Sequence, residues 1–148
     1  MLTMRKVVQK QLGELLVDGH VITPENLEEA LKLQKQKGGL LGQILVDLGY
    51  ASEQAIAQAL TVQYGFPYLP LSDYDMDHEI TRLIPEITSR QYGLVAVDRI
   101  GSILTVATAN PLDTESIREI EKITKLDVQV FVSTQTDIFE AIKRGYKT

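Results

Sequence analysis

Cysteine and tryptophan are absent from this 148-residue chain, and histidine occurs only twice, as His20 and His78. Without cysteine there is no disulfide framework and no thiolate metal site, which fits a cytosolic protein. Basic charge is also in short supply. The net charge is −5, with 6 basic and 7 acidic side chains in the first 64 residues and 9 and 13 in the remainder. Nothing there forms a stripe able to neutralise a run of phosphates, so polynucleotide binding is not expected. No apolar run approaches the roughly 18 residues of a membrane-spanning helix. The opening MLTMRKVVQKQLG lacks the apolar centre of a signal peptide. The phosphate-cradling G-x-x-x-x-G-K-[ST] loop, the H-E-x-x-H zinc motif and the G-x-S-x-G elbow are all missing. Asp73-Tyr74-Asp75-Met76-Asp77 is acidic, but it lacks the glycine and terminal Glu of a calcium loop. It reads as a solvated turn leading into a helix, with His78 exposed. These absences predict a chain that is not an enzyme, with no metal and no cofactor. A hydrophobic share of 44% still allows a real core, so a binding or interaction module is expected.

What is present is a repeat. Gln11–Gln34 (QLGELLVDGHVITPENLEEALKLQ) and Leu40–Gln63 (LLGQILVDLGYASEQAIAQALTVQ) align without a gap at an offset of 29 residues. Eight of the 24 aligned positions are identical: Leu12/Leu41, Gly13/Gly42, Leu16/Leu45, Val17/Val46, Asp18/Asp47, Ala30/Ala59, Leu31/Leu60 and Gln34/Gln63. Two copies are too few for a solenoid, so two similar halves packed together are expected.

Helical spacing of Val7, Val8, Leu12, Leu15 and Leu16 predicts a first helix over Met4–Asp18. Thr23 then caps a second helix, with Pro24 at its first position and Gly38-Gly39 after Lys37. Its inner stripe is Leu27, Ala30, Leu31 and Gln34. The second copy predicts helices over Leu40–Leu48 and, capped by Ser52, up to Tyr64, with the stripe Ile56, Ala59, Leu60 and Gln63. Gly13 and Gly42 sit inside helical pattern, where each costs about 1 kcal/mol against alanine. Either helices pack closely there or a ligand approaches the backbone. Each glutamine ends an apolar stripe, where it either bonds a nearby loop or contacts a ligand.

Phe66-Pro67-Tyr68-Leu69-Pro70-Leu71 connects this half to the next. Glu79–Leu83 predicts a helical turn, and Pro85 opens a helix through Tyr92. Leu94–Asp98 and Ser102–Thr108 read as a β-hairpin around Arg99-Ile100-Gly101. Asn110-Pro111-Leu112-Asp113 breaks the chain and caps a helix over Thr114–Thr124. Asp127–Val132 alternates like a strand, and Ser133-Thr134 leads into a last helix ending near Gly145. The predicted class is α+β. A four-helix tandem-hairpin subdomain spans residues 1–65, with repeats at 11–34 and 40–63. A connector covers 66–78, and an α/β sandwich subdomain covers 79–148.

The repeat pattern L-G-x-L-L-V, I-T-x-x-x-L-x-x-A-L-x-x-Q resembles the N-terminal domain of type II secretion and type IV pilus assembly ATPases, the MshEN-like cyclic di-GMP-binding domain. Ile84-Pro85-Glu86, Val106-Ala107, Asn110-Pro111-Leu112-Asp113 and Ile138-x-x-Ala141-Ile142 extend the resemblance across Lys10–Tyr146. The resemblance implies a non-catalytic regulatory domain that binds cyclic di-GMP through both motifs. It assigns the ligand to Gln11, Leu12, Gly13, Leu16, Val17, Leu27, Leu31 and Gln34 in the first motif. In the second it assigns Leu41, Gly42, Leu45, Val46, Gly49, Ile56, Leu60 and Gln63. Leucine and isoleucine pack on guanine faces, glycine admits backbone N–H groups to phosphate, and glutamine offers donor and acceptor. Two departures stand out. Gln11 and Leu40 occupy the place where the family commonly has Arg, and His20 stands where it has Gly. The alternative is a docking domain, independent of nucleotide, for an inner-membrane platform protein of a secretion or pilus machine. Implied partners are cyclic di-GMP and an ATPase core or that platform protein, with a cytoplasmic location, peripheral at the inner membrane through a partner.

Overall fold

A computed structural model describes residues 12–147. Helix α1 covers residues 12–18 of that range; its expected start at Met4, and Gln11, lie outside the described residues. Helix α2 is Pro24–Lys37, α3 is Leu41–Asp47 and α4 is Glu53–Tyr64. Side-chain caps fix both long helices. Thr23 Oγ1 accepts from Asn26 N at 3.1 Å, and Asn26 Oδ1 accepts from Thr23 N at 3.0 Å. Ser52 Oγ accepts from Ala55 N at 3.0 Å. These bonds satisfy first-turn N–H groups that have no helical partner.

The repeat is also a repeat in three dimensions. Gly19, His20 and Val21 donate their N–H groups to Leu15, Val17 and Leu16; Leu48, Gly49 and Tyr50 donate to Ile44, Val46 and Leu45. Each set is the other shifted by 29 residues. The middle residue of each turn is left-handed: φ is 79° at Gly49 and 61° at His20. Glycine takes that conformation freely, whereas histidine does so at a steric cost. Leu12, Leu15, Leu16, Ala30, Leu41, Leu45, Ala59 and Leu60 form the shared core of the two hairpins.

After the connector come two short helices, α5 (His78–Thr81) and α6 (Glu86–Tyr92). Asp77 caps α5 by accepting from Glu79 N at 2.9 Å, so the acidic stretch does serve as a helix lead-in. His78 is exposed as expected, yet its Nδ1 lies 2.7 Å from the Gly145 carbonyl. Strands β1 (Leu94–Ile100) and β2 (Ile103–Thr108) form the hairpin. The turn is Gly101-Ser102 rather than Arg99-Ile100-Gly101, because Ile100 still pairs with Ile103. A bulge between Ala96 and Asp98 takes up one residue of β1. Gly101, at φ 60°, supplies the positive φ that a two-residue hairpin turn needs at its first position. Helix α7 (Thr114–Thr124) crosses from β2 to β3 (Asp127–Val132), which lies parallel to β2. Helix α8 (Gln135–Tyr146) closes the described chain.

The sheet order is β1-β2-β3. Its two faces are both covered. Val95, Val97 and Ala107 pack with Ile138, Ala141 and Ile142 of α8 and with Leu71 of the connector. Leu94, Ala96, Leu104 and Val106 pack with Ile120 of α7 and with Ile84. A strand buried on both faces reads as a continuous apolar run, which is why LVAV shows no alternation. Val132, at the end of β3, turns instead into the helical core, where Leu112 also packs. The fold is α+β, and its helical and sheet portions share apolar contact. Among the described residues no helix is long and apolar enough to cross a membrane.

Candidate functional site

The parallel strands β2 and β3 end side by side, and each is followed directly by a helix N-terminus. Crevices beyond the carboxyl ends of such strands are common ligand positions. Here the repeat closes over that end and leaves a cleft of about 40 Å³. Leu12, Leu41, Gly42, Val46 and Ile56 line it from the repeat. Asn110, Asp113, Ser133, Thr134 and Gln135 line it from the two strand-to-helix loops. Glu53, at the start of α4, and Tyr92, at the end of α6, complete the polar lining.

Each polar group is placed by its helix. Asp113 is 3% exposed and caps α7, its Oδ1 accepting from Ser116 N at 3.3 Å. Asn110 Oδ1 accepts from Leu112 N at 3.1 Å and shapes the loop before it. Thr134 caps α8 by accepting from Asp137 N at 3.3 Å. Glu53 Oε1 then accepts from both Thr136 N at 2.7 Å and Thr136 Oγ1 at 2.8 Å, reaching from the second motif to the first turn of α8. Ser133 is 1% exposed, and its Oγ has no hydrogen-bond partner in the chain.

The residues implied by the resemblance divide into groups. Five of them border the cleft: Leu12, Leu41, Gly42, Val46 and Ile56. Leu16, Leu45 and Leu60 are wholly buried in the helical core, and Leu31 packs half-buried against it. Gly13 lies under the Leu27 side chain, whose Cγ would be 3.3 Å from an added Cβ. Val17 borders an open groove with Asp18, His20 and Pro24, and Gly49 sits in its turn with open space beside it. Gln34 Nε2 donates to the Gly39 carbonyl at 3.0 Å, a bond to the loop that follows its helix. Gln11 and the Gln63 side chain lie outside the described residues. The motifs are also stitched to each other: Tyr50 Oη donates to Glu29 Oε1 at 2.8 Å, and that bond raises the phenol's pKa above its ordinary value.

Glu53, Ser133 and Gln135 carried no sequence motif of their own. The signal that could have found them is positional. Ser52-Glu53, Asp113 and Ser133-Thr134 are all helix-capping sites, and the last two follow adjacent parallel strands.

Comparison with known proteins places this geometry. The model of the MshEN domain family matches residues 64–148. The type IV pilus assembly ATPase PilB of Thermus thermophilus is 32% identical over 139 residues, covering 93% of this chain. The chain spans only 16% of that relative's length. A structure of MshE with cdg (cyclic di-GMP) superposes with a TM-score of 0.67 at 27% identity, covering 91% of this chain and 98% of that one. The N-terminal domain of XpsE has the same fold, with a TM-score of 0.74 at 22% identity over 95% and 96% of the two chains. With more than half its length matched by the family model, the chain belongs to the MshEN domain family.

Proposed function

We propose that the chain is the ligand-sensing, non-catalytic front domain of a type II secretion or type IV pilus ATPase, and that it binds cyclic di-GMP through its two tandem motifs. The observation that carries this reading is the 27% identity, over 91% of this chain, to MshE, whose structure holds that nucleotide. Two subdomains, residues 1–65 and 79–148 joined by 66–78, provide the two walls of the cleft. The apolar positions of the motifs offer surfaces for guanine, and Gly42 leaves backbone accessible to phosphate. Ligand pockets commonly measure about 300–1,000 Å³, far above the 40 Å³ of this cleft. Binding therefore separates the walls. The bound domain passes that change to an ATPase core or an inner-membrane platform protein on the cytoplasmic side.

One group of observations favours the second reading, a docking domain with the repeat as scaffold. Leu16, Leu45 and Leu60 are fully buried, and Gln34 is bonded to its own loop. Calorimetric titration with cyclic di-GMP, with GTP and cyclic di-AMP as controls, separates the two. Selective saturable binding at micromolar affinity or tighter is expected, with loss of affinity but not of melting temperature in Gln34→Ala and Gln63→Ala. Absence of heat at ligand concentrations near a millimolar would leave the docking reading.

A further inference from the structure

We infer that the N-terminus of α8 is a seat for one phosphodiester oxyanion, and that the Glu53 carboxylate holds this seat while the cleft is closed. The first turn of a helix presents N–H groups without helical partners and the positive end of the helix dipole, so it favours an anion. Helix α8 is 12 residues long, and its first turn already holds an anion. Glu53, 83 residues away in sequence, accepts there from both Thr136 N and Thr136 Oγ1.

A second observation points to a further occupant. The Ser133 hydroxyl lines the same cleft, is shielded from solvent and has no partner in the chain. Buried hydroxyls are nearly always bonded, and one that is not marks a missing group. A carboxylate fixed at Thr136 leaves this donor unused. A phosphodiester presents two oxyanion oxygens from one centre, enough to accept from Thr136 and from Ser133 together.

Charge selects the class of ligand. The cleft is lined by the carboxylates of Glu53 and Asp113 and by no Lys, Arg or His. An additional anion would enter against uncompensated negative charge. Exchange of the Glu53 carboxylate for a phosphodiester replaces one unit charge with another. A phosphomonoester, at about −1.5 to −2 near neutral pH, would leave an excess. Exchange also detaches the second motif from α8, so the bond that closes the cleft is the one the ligand breaks. The identity of the natural ligand rests on the cyclic di-GMP reading; the seat does not.

The test uses the full chain and its Glu53→Gln variant, which keeps the side chain's shape and removes its charge. Expected results are cyclic di-GMP affinity at least tenfold tighter in Glu53→Gln, and amide NMR shifts at Thr136 and Asp137 on titration with dimethyl phosphate at several-fold lower concentration than in the parent. Phenyl phosphate, a monoester, should act more weakly than dimethyl phosphate. Ser133→Ala in the Glu53→Gln background should weaken the dimethyl phosphate response while melting stays unchanged or rises. Equal dimethyl phosphate responses in parent and Glu53→Gln would overturn the seat. Equal cyclic di-GMP affinities in both would overturn the exchange while leaving the receptor reading intact. A dimethyl phosphate response confined to Glu53→Gln, with no cyclic di-GMP heat in either chain, would uphold the seat and remove that nucleotide as its ligand. Should Glu53→Gln fail to fold, Glu53→Asp, which retracts the carboxylate by one methylene, is expected to tighten cyclic di-GMP binding, and unchanged affinity would overturn the exchange.

Discussion

Gly13 and Gly42 occupy the same place in two copies of one unit, yet a methyl group added at each would meet different neighbours. At Gly13 it would overlap the Leu27 side chain, with Cδ2 at 3.1 Å and Cγ at 3.3 Å. At Gly42 the nearest atom would be Ile56 Cδ1, at an ordinary 3.9 Å. The first glycine is required by helix packing. The second lines the cleft, so packing gives no reason for it. The turns differ in the opposite sense, since the first copy bends through a left-handed histidine and the second through a left-handed glycine. Duplication has preserved the backbone and the buried leucines while the two surfaces have moved apart: one copy is tightened against itself and the other faces the cleft.

The largest effects should fall where the copies still agree. Leu16 and Leu45 are both fully buried, so Leu16→Ala and Leu45→Ala should each lower stability by about 2–5 kcal/mol in urea unfolding. A large disparity between them would mean the two halves do not share one core. The glycine pair should split in sign. Gly13→Ala is expected to destabilise by about 1–3 kcal/mol through overpacking, whereas Gly42→Ala should gain up to about 1 kcal/mol from helix propensity. Loss of stability in both would erase the distinction drawn above. At the turns, Gly49→Ala should cost about 1 kcal/mol from its left-handed backbone alone, since no atom lies within 4 Å of the added methyl. His20→Gly should raise the melting temperature slightly, because relief of the left-handed strain is partly offset by glycine's extra chain entropy.

The smallest effect concerns the bond between copies. The Glu29 hydrogen bond raises the folded-state pKa of Tyr50 above its ordinary 10.0. The contribution is therefore complete below that ordinary value and is lost as pH rises through the raised folded value. Urea midpoints followed from about pH 9 to 11 should fall slightly less steeply in Tyr50→Phe than in the parent. Identical slopes would mean that the bond carries no linkage.

The repeat, the caps and the element order could be read from the sequence because they depend on near neighbours in the chain. Thr23 and Ser52 cap groups three residues on, and α7 and β3 have the bounds their patterns predict. The hairpin turn was misplaced by a residue because the bulge at Val97 is set by pairing with β2, which β1 alone does not reveal. The candidate site was only partly readable. Its apolar wall follows from the motif, and the placement of Leu41, Gly42 and Ile56 on the cleft agrees with their assignment to a shared surface. The polar wall depends on Glu53 meeting Thr136 and on Ser133 being shut in without a partner. Both arise from docking elements that lie far apart in sequence, and no local pattern encodes them.

Val132 completes the core of the two hairpins, although it follows Leu60 by some seventy residues. A ribosome adding about 5–20 residues per second needs roughly 4–14 s to cover that interval. During this time the helical hairpins exist without their last apolar neighbour, so they form early and settle late. Nascent chains stalled before Val132 should remain protease-sensitive through α4. Chains stalled far enough beyond α8 to clear the exit tunnel should resist; early resistance in the shorter chains would show that the hairpins close without it.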